Sequence, residues 1–262
     1  MVTGYEIFRE AMQDHIDNFI VIGGTACEVC LADTGRTRHV TKDIDLIVIV
    51  DNITRDFLSD FWQFIHNGGY SIGKRENSVG KIVYALYRFN HPSQEGFPWQ
   101  IELLASQAER LLEPQNIRIE PISANGGQYS LSSIVMDKDL YDFTIAHSEI
   151  REGLRMADEI ALIALKMRAF LNLSKDKKEG KTVHSDDILK HRRDILNLMA
   201  TGKAIGPVSV CHSIFGDAVE FVSEMRRIHQ DSPQVLAQSM SVPPEAITEY
   251  LNLLDELFVL EK

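Results

Sequence analysis

The sequence predicts an α/β domain with a mixed sheet, followed by a C-terminal helical domain. Two observations predict it, and a third bears on function. Over the first hundred residues, short β-rich runs alternate with amphipathic segments in the order strand, helix, strand, helix, strand, strand. From about Ala157 the apolar period lengthens to that of a helix. Two carboxylates, Asp43 and Asp45, interrupt one of the strand-like runs.

The elements follow in order. Residues 5–17 space Ile7, Phe8, Met12 and Ile16 for one helical face. "NFIVIGG" is a β-rich run stopped by glycines, hence a strand and a turn. "TACEVCLADTG" predicts a helix with Thr25 near its start and Gly35 just past its end. "DIDLIVIVD" is a second strand, and "TRDFLSDFWQFIHNGG" a second helix closed by Gly68 and Gly69. Trp62 and Phe64 fit a helix packed on the sheet. "KIVYALYRF" and "WQIELLA" are further strands, separated by Pro92, Gly96 and Pro98. Within residues 106–150, "IRIEPI", "SSIVMD" and "YDFTIAHS" predict short strands.

The second half opens with "ADEIALIALKMRAFLNLS", which places Ile160, Ile163, Ala164, Met167 and Leu171 on one helical face. "KDKKEGKTVHSDD" is expected as an exposed charged loop, and "DDILKHRRDILNLMA" as another helix. Two or three more helices fit residues 213–262, one with proline at its start. The division expected is 1–150 and 151–262.

Composition limits the function. With 44% hydrophobic and 25% charged residues in 262, the chain is an ordinary globular protein of one large domain or two modest ones. A net charge of −11 argues against a surface devoted to nucleic acid, since phosphate neutralisation needs clustered Lys and Arg. It leaves room for a local basic groove. Cys27, Cys30 and Cys211 are too few for a disulfide framework, so a reducing compartment is expected. Without a signal-like N-terminus or an apolar run of membrane length, the expected address is the cytoplasm, with no membrane partner.

Strand side chains alternate, so Asp43 and Asp45 share a face and Ile44 takes the other. Neighbouring carboxylates repel, and a divalent cation removes that cost. A strand end with solvent-facing aspartates has the same pattern. Gly23, Gly24 and Thr25, between strand and helix, offer backbone N–H groups and a hydroxyl to a phosphate. They equally describe a tight turn with an N-cap. Glu102, between Ile101 and Leu103, is a charge in an apolar strand that needs a partner or water.

Together these parts resemble the nucleotidyltransferase superfamily of the polymerase-beta-like fold. That family has a strand, a Gly-Gly or Gly-Ser turn, a helix, Asp-x-Asp on the next strand and a third acid on a later one. The resemblance implies an α/β (α+β) nucleotidyltransferase fold with mixed sheet, plus a C-terminal helical domain. It implies that Asp43, Asp45 and Glu102 hold Mg²⁺ (or Mn²⁺). Gly23, Gly24 and Thr25 would hold the triphosphate of an NTP, with Lys42 reaching a phosphate from the adjoining loop. The long gap between turn and Asp-x-Asp implies a substrate-specific loop at 34–42. Arg36 and Arg38 in it would meet nucleotide or acceptor, or water.

The motifs in "GGTA" and "TKDIDL" are similar to those of AbiEii/AbiGii-type nucleotidyltransferase toxin proteins, with Thr41 opening the Thr-x-Asp-x-Asp segment. "LIALKMRA" supplies Leu162, Leu165, Lys166 and Ala169 of that family's lysine helix, and "KHRRDILNL" its basic helix with Asp194. The resemblance implies that Lys166 meets the triphosphate and that Asp194 orients or deprotonates the acceptor hydroxyl. On the residues themselves, a snorkelling lysine and a surface ion pair beside Arg192 and Arg193 are the plainer accounts. The acceptor implied is RNA, such as a tRNA 3′ end, with a cognate antitoxin as partner. A small-molecule acceptor, as in aminoglycoside nucleotidyltransferases, and a catalytically silent nucleotide-binding module are the rivals. Cys27 and Cys30 lack the second pair of a zinc site and are expected in the core. His184 and His191 are expected at the surface.

Overall fold

The computed structural model describes residues 3–34, 41–76, 82–105, 134–135 and 137–261. It opens with helix α1 (Tyr5–Met12), strand β1 (Phe19–Ile22) and helix α2 (Gly23–Cys30), then strand β2 (Asp43–Val48) and helix α3 (Arg55–Gly68). Strands β3 (Ser71–Glu76), β4 (Ile82–Asn90), β5 (Gln100–Ala105) and β6 (Ile134–Val135) follow. Next come α4 (Lys138–Ala146), β7 (Ser148–Arg151) and β8 (Leu154–Ala157). The remainder is α5 (Glu159–Lys178), α6 (Ser185–Met199), β9 (Val208–Val210), α7 (His212–Asp231), α8 (Pro233–Met240), α9 (Pro244–Leu257) and β10 (Phe258–Leu260).

The expected mixed sheet is present, eight-stranded among the described residues, in the order β3-β4-β5-β2-β1-β8-β7 with β6 beside β5. Strand β2 runs antiparallel to β1 and parallel to β5; β8 runs parallel to β1. Contacts divide the chain into two compact units. One is Met1–Val29, His39–Tyr141 and Ser148–Ala157; the other is Cys30–Arg38, Asp142–His147 and Asp158–Lys262.

One face of the sheet is apolar. The register aligns Ile44 with Ile101 and Leu46 with Leu103, and pairs Ile101 with Phe89. All five are buried. Helices α1 and α3 cover this face through aromatic rings. Phe8 meets Phe19 and Phe64 edge-on, and Phe61 and Trp62 both meet Phe89. Helix α3 starts where Thr54 accepts a hydrogen bond from the Phe57 N–H at 3.1 Å, and stops at left-handed Gly69. The second unit packs α5 against α6 and α7, with Ile163, Met167, Ile195, Leu196 and Phe221 buried. Asp158 caps α5 by accepting from the Ala161 N–H at 2.8 Å.

Several elements depart from the sequence reading. "YDFTIAHS" is helical, not a strand: Leu140, Tyr141 and Thr144 bury a helical stripe, and Tyr141 donates its hydroxyl hydrogen to the Val48 carbonyl at 3.1 Å. The Gly-Gly pair does not precede α2 as a separate turn; the helix begins at Gly23 itself. The first half of the charged segment is the end of α5, because nothing before Gly180 breaks the helix. The hairpin β7–β8 and strand β3 were not anticipated. "IRIEPI" and the 35–40 part of the loop lie outside the described residues. Phe8 ties α1 to β1 and α3, so Phe8→Ala is expected to cost about 3–5 kcal/mol in urea unfolding of the full chain.

Candidate functional site

The carboxylates gather where β1, β2, β5 and β4 lie side by side. Asp45 is the register partner of Ile22 on β1 and of Glu102 on β5, and Glu102 is the partner of Arg88 on β4. Partners across a ladder share a face, so Asp45, Glu102 and Arg88 form a row. Asp43, Gln100 and Asn90 form the next row on that face. The acids therefore project from the side opposite Ile44, Ile101 and Phe89.

Helix α2 is pressed onto this face. A Cβ at Gly23 would lie 2.1 Å from Asp45 Oδ2, and one at Gly24 would lie 2.9 Å from Thr41 Oγ1. Gly23 also has a φ of 68°, in the left-handed region. Only glycine lets the helix start approach this closely. The Thr25 side chain is buried, and its hydroxyl donates to the Asp43 carbonyl at 2.8 Å. Thr41 is buried beside it, accepting from the Asp43 N–H at 3.4 Å. These two threonines frame the site rather than present hydroxyls to it.

Glu102 stands opposite Asp45, yet its carboxylate is engaged elsewhere. It accepts from Arg88 Nη2 at 2.8 Å and from Gln100 Nε2 at 3.2 Å. The Glu102 side chain is 14% exposed and that of Arg88 45%. Among the described residues, no group of three His, Cys, Asp or Glu side chains converges as a metal site. The donor chemistry still fits a hard divalent cation at Asp43 and Asp45, two oxygen donors on one face. Arg88 escaped the sequence reading. Its signal was a cation inside the apolar run "YALYRF".

Lys42 is exposed, and its carbonyl accepts from the Trp99 N–H at 2.9 Å. Arg36 and Arg38 lie outside the described residues. Cys27 and Cys30 are buried in the core.

Lys166 and Asp194 belong to the helical unit, and the structure pairs them with each other. Lys166 Nζ lies 2.7 Å from Asp194 Oδ2, both side chains buried. Asp194 is thus neither a surface residue nor the partner of its neighbouring arginines. A lysine interior to α5 and an aspartate interior to α6 meet because the helices pack together. Removing one partner of such a pair typically costs about 3–5 kcal/mol. His191, expected at the surface, is mostly covered instead, and its buried Nδ1 has no hydrogen-bond partner among the described residues. Burial, and next the positive charge of Lys166, push the imidazole down to about 4.

No protein-family model matches the chain, and no curated protein matches it. Two solved structures are similar to it. One is the solution structure of the antibiotic-resistance factor ANT(2'')-Ia, with TM-score 0.36 and 10% identity over 87% of this chain and 95% of that one. The other is the Megavirus polyadenylate synthase, with TM-score 0.39 and 10% identity over 88% of this chain and 38% of that one. Among the described residues, no helix is long and apolar enough to cross a membrane.

Two outcomes are expected from the geometry. Gly23→Ala should lower stability by about 1–3 kcal/mol through its positive φ and the Asp45 carboxylate. Gly216→Ala, in open space inside α7, should raise it by up to about 1 kcal/mol. Urea unfolding of both variants beside the parent chain checks the contrast. His191 has a folded-state pKa below its unfolded value, so the unfolded chain takes up the proton first. Stability should fall as pH drops from about 6.5 to about 4 and gain no further His191 penalty below that. The loss is about 3 kcal/mol, and His191→Gln should remove it from a pH series of unfolding curves.

Proposed function

We propose that this chain transfers a nucleotidyl group from an NTP to an acceptor hydroxyl. The observation that carries the reading is the register of β2 on β5. It seats Asp45 opposite Glu102 with Asp43 on the same face, against the first residue of α2. Asp43 and Asp45 would hold Mg²⁺ or Mn²⁺, which when bound neutralises charge on phosphoryl oxygens. The start of α2 would offer its first N–H groups to the phosphates, and glycine at positions 23 and 24 lets that start lie close to Asp45 and Thr41. The acceptor oxygen attacks the α-phosphorus, the bond to the β-phosphate oxygen breaks, and pyrophosphate leaves. The hydroxyl proton passes to a carboxylate of the site.

The resemblance to AbiEii-type proteins favours RNA, a tRNA 3′ end included, as acceptor, and an antitoxin as protein partner. The net charge of −11 favours a small-molecule acceptor. A gel shift with tRNA separates the two, since phosphate contacts weaken steeply with salt. One observation favours a second reading, a nucleotide-binding module without transfer. The Glu102 carboxylate is paired with Arg88, and among the described residues no three His, Cys, Asp or Glu side chains converge as a metal site. NTP binding that requires Mg²⁺ but yields no pyrophosphate with RNA or metabolite pools would support that reading.

Replacing both aspartates, Asp43→Asn with Asp45→Asn, should cut transfer of label from α-labelled NTP at least about a thousandfold. Circular dichroism and melting temperature should hold or rise, because a like-charge pair is relieved. Undiminished transfer by the double variant would sink the assignment.

A further inference from the structure

The helical unit holds a cavity of about 1030 Å³ between α5, α6 and α7. Phe170, Leu189 and Ile228 supply apolar wall, and Arg192 and Lys175 supply charge. Six Lys and Arg residues line it against three Asp and Glu, a local cationic excess in a chain of net charge −11. Much of that charge already has a partner. Arg168 pairs with Asp217 and donates to the Ser213 hydroxyl at 3.2 Å. Arg227 pairs with Glu224 at 2.8 Å.

Arg192 differs. It is only 8% exposed, and its buried Nε has no hydrogen-bond partner among the described residues. Burial and the adjacent Arg193 both weaken its hold on the proton. A buried guanidinium is costly unless a carboxylate or another anion meets it. Among the described residues none does, and the side chain lines a space large enough for a small organic molecule. The guanidinium fork matches the tetrahedral oxygens of a phosphate, and the surplus of positive charge suits a dianion better than a monoanionic carboxylate.

We propose that this cavity binds a small organic phosphate monoester, its phosphoryl oxygens on Arg192 and its body against Phe170, Leu189 and Ile228. The site is independent of the carboxylates on the sheet. Lys175, exposed at the edge of the cavity, adds a second cation to the head group.

Calorimetric titration of the full chain with phenyl phosphate tests this. One-to-one binding is expected. Inorganic phosphate should bind more weakly for want of a body, and benzoate more weakly for want of a dianionic head. Arg192→Met should weaken binding at least about tenfold, the loss of charge-assisted hydrogen bonds. Its melting temperature should equal or exceed the parent's, because an unpaired buried charge has gone. Lys175→Gln, at an exposed position, should weaken binding about threefold without touching the fold. Asp43→Asn with Asp45→Asn should bind as the parent does. Tighter binding of AMP or of a sugar monophosphate through Arg192 would name the natural source, and either supports the site. Absence of binding, benzoate equal to phenyl phosphate, or full affinity in folded Arg192→Met overturns it. Loss of binding in the Asp43/Asp45 variant would also overturn it, by placing the phosphate on the sheet.

Discussion

The pairing of β2 with β5 is the constraint on which the candidate site depends. It aligns "DIDL" with "QIEL" position by position, acid with acid or amide and aliphatic with aliphatic. Two requirements are met by one register. The aliphatic positions must reach the aromatic layer of α1 and α3, and the polar positions are then forced to the other face. A slip of β2 by one residue would turn Asp43 and Asp45 into the apolar layer and Ile44 and Leu46 out of it. The hydrophobic effect, acting on Ile44, Leu46, Ile101 and Leu103, therefore sets where the carboxylates stand.

The helix that follows β1 adapts to that arrangement. Gly23 and Gly24 are where α2 comes within van der Waals distance of Asp45 and Thr41, and the Thr25 hydroxyl fastens it to the backbone of β2. Two glycines and one threonine thus act as spacers and fastener. Arg88 works from the other side, across β5, and balances the charge of Glu102. The row from Ile22 to Arg88 crosses four strands, and each residue in it answers to its neighbour.

Much of this was legible in the sequence, for local reasons. Strands β1, β2, β4 and β5 are short apolar or alternating runs, helices α3 and α5 repeat their apolar positions at helical spacing, and Gly69 marks the end of α3. The same-face placement of Asp43 and Asp45 follows from strand geometry. What escaped was set by distant partners. Tyr141, Phe143 and Ile145 alternate as in a strand, but Leu140, Tyr141 and Thr144 form the buried stripe. Strand β3 is a run of mixed polarity whose pairing with β4 supplies its extended form. The Lys166–Asp194 and Arg88–Glu102 pairs join residues 28 and 14 apart, which no spacing in the sequence indicates.

The hairpin β7–β8 has a consequence for how the chain is made. Val21 on β1 pairs with Met156 on β8, so one edge of β1 stays open until residues beyond 150 have left the ribosome. Closing so long a loop is entropically slow, and the waiting strand is an apolar one with an unpaired edge. Until then β1 is a template for strand addition by another molecule. A fragment ending near residue 150 would keep every acid of the sheet and still lack the strand that shields β1 from its neighbours in solution.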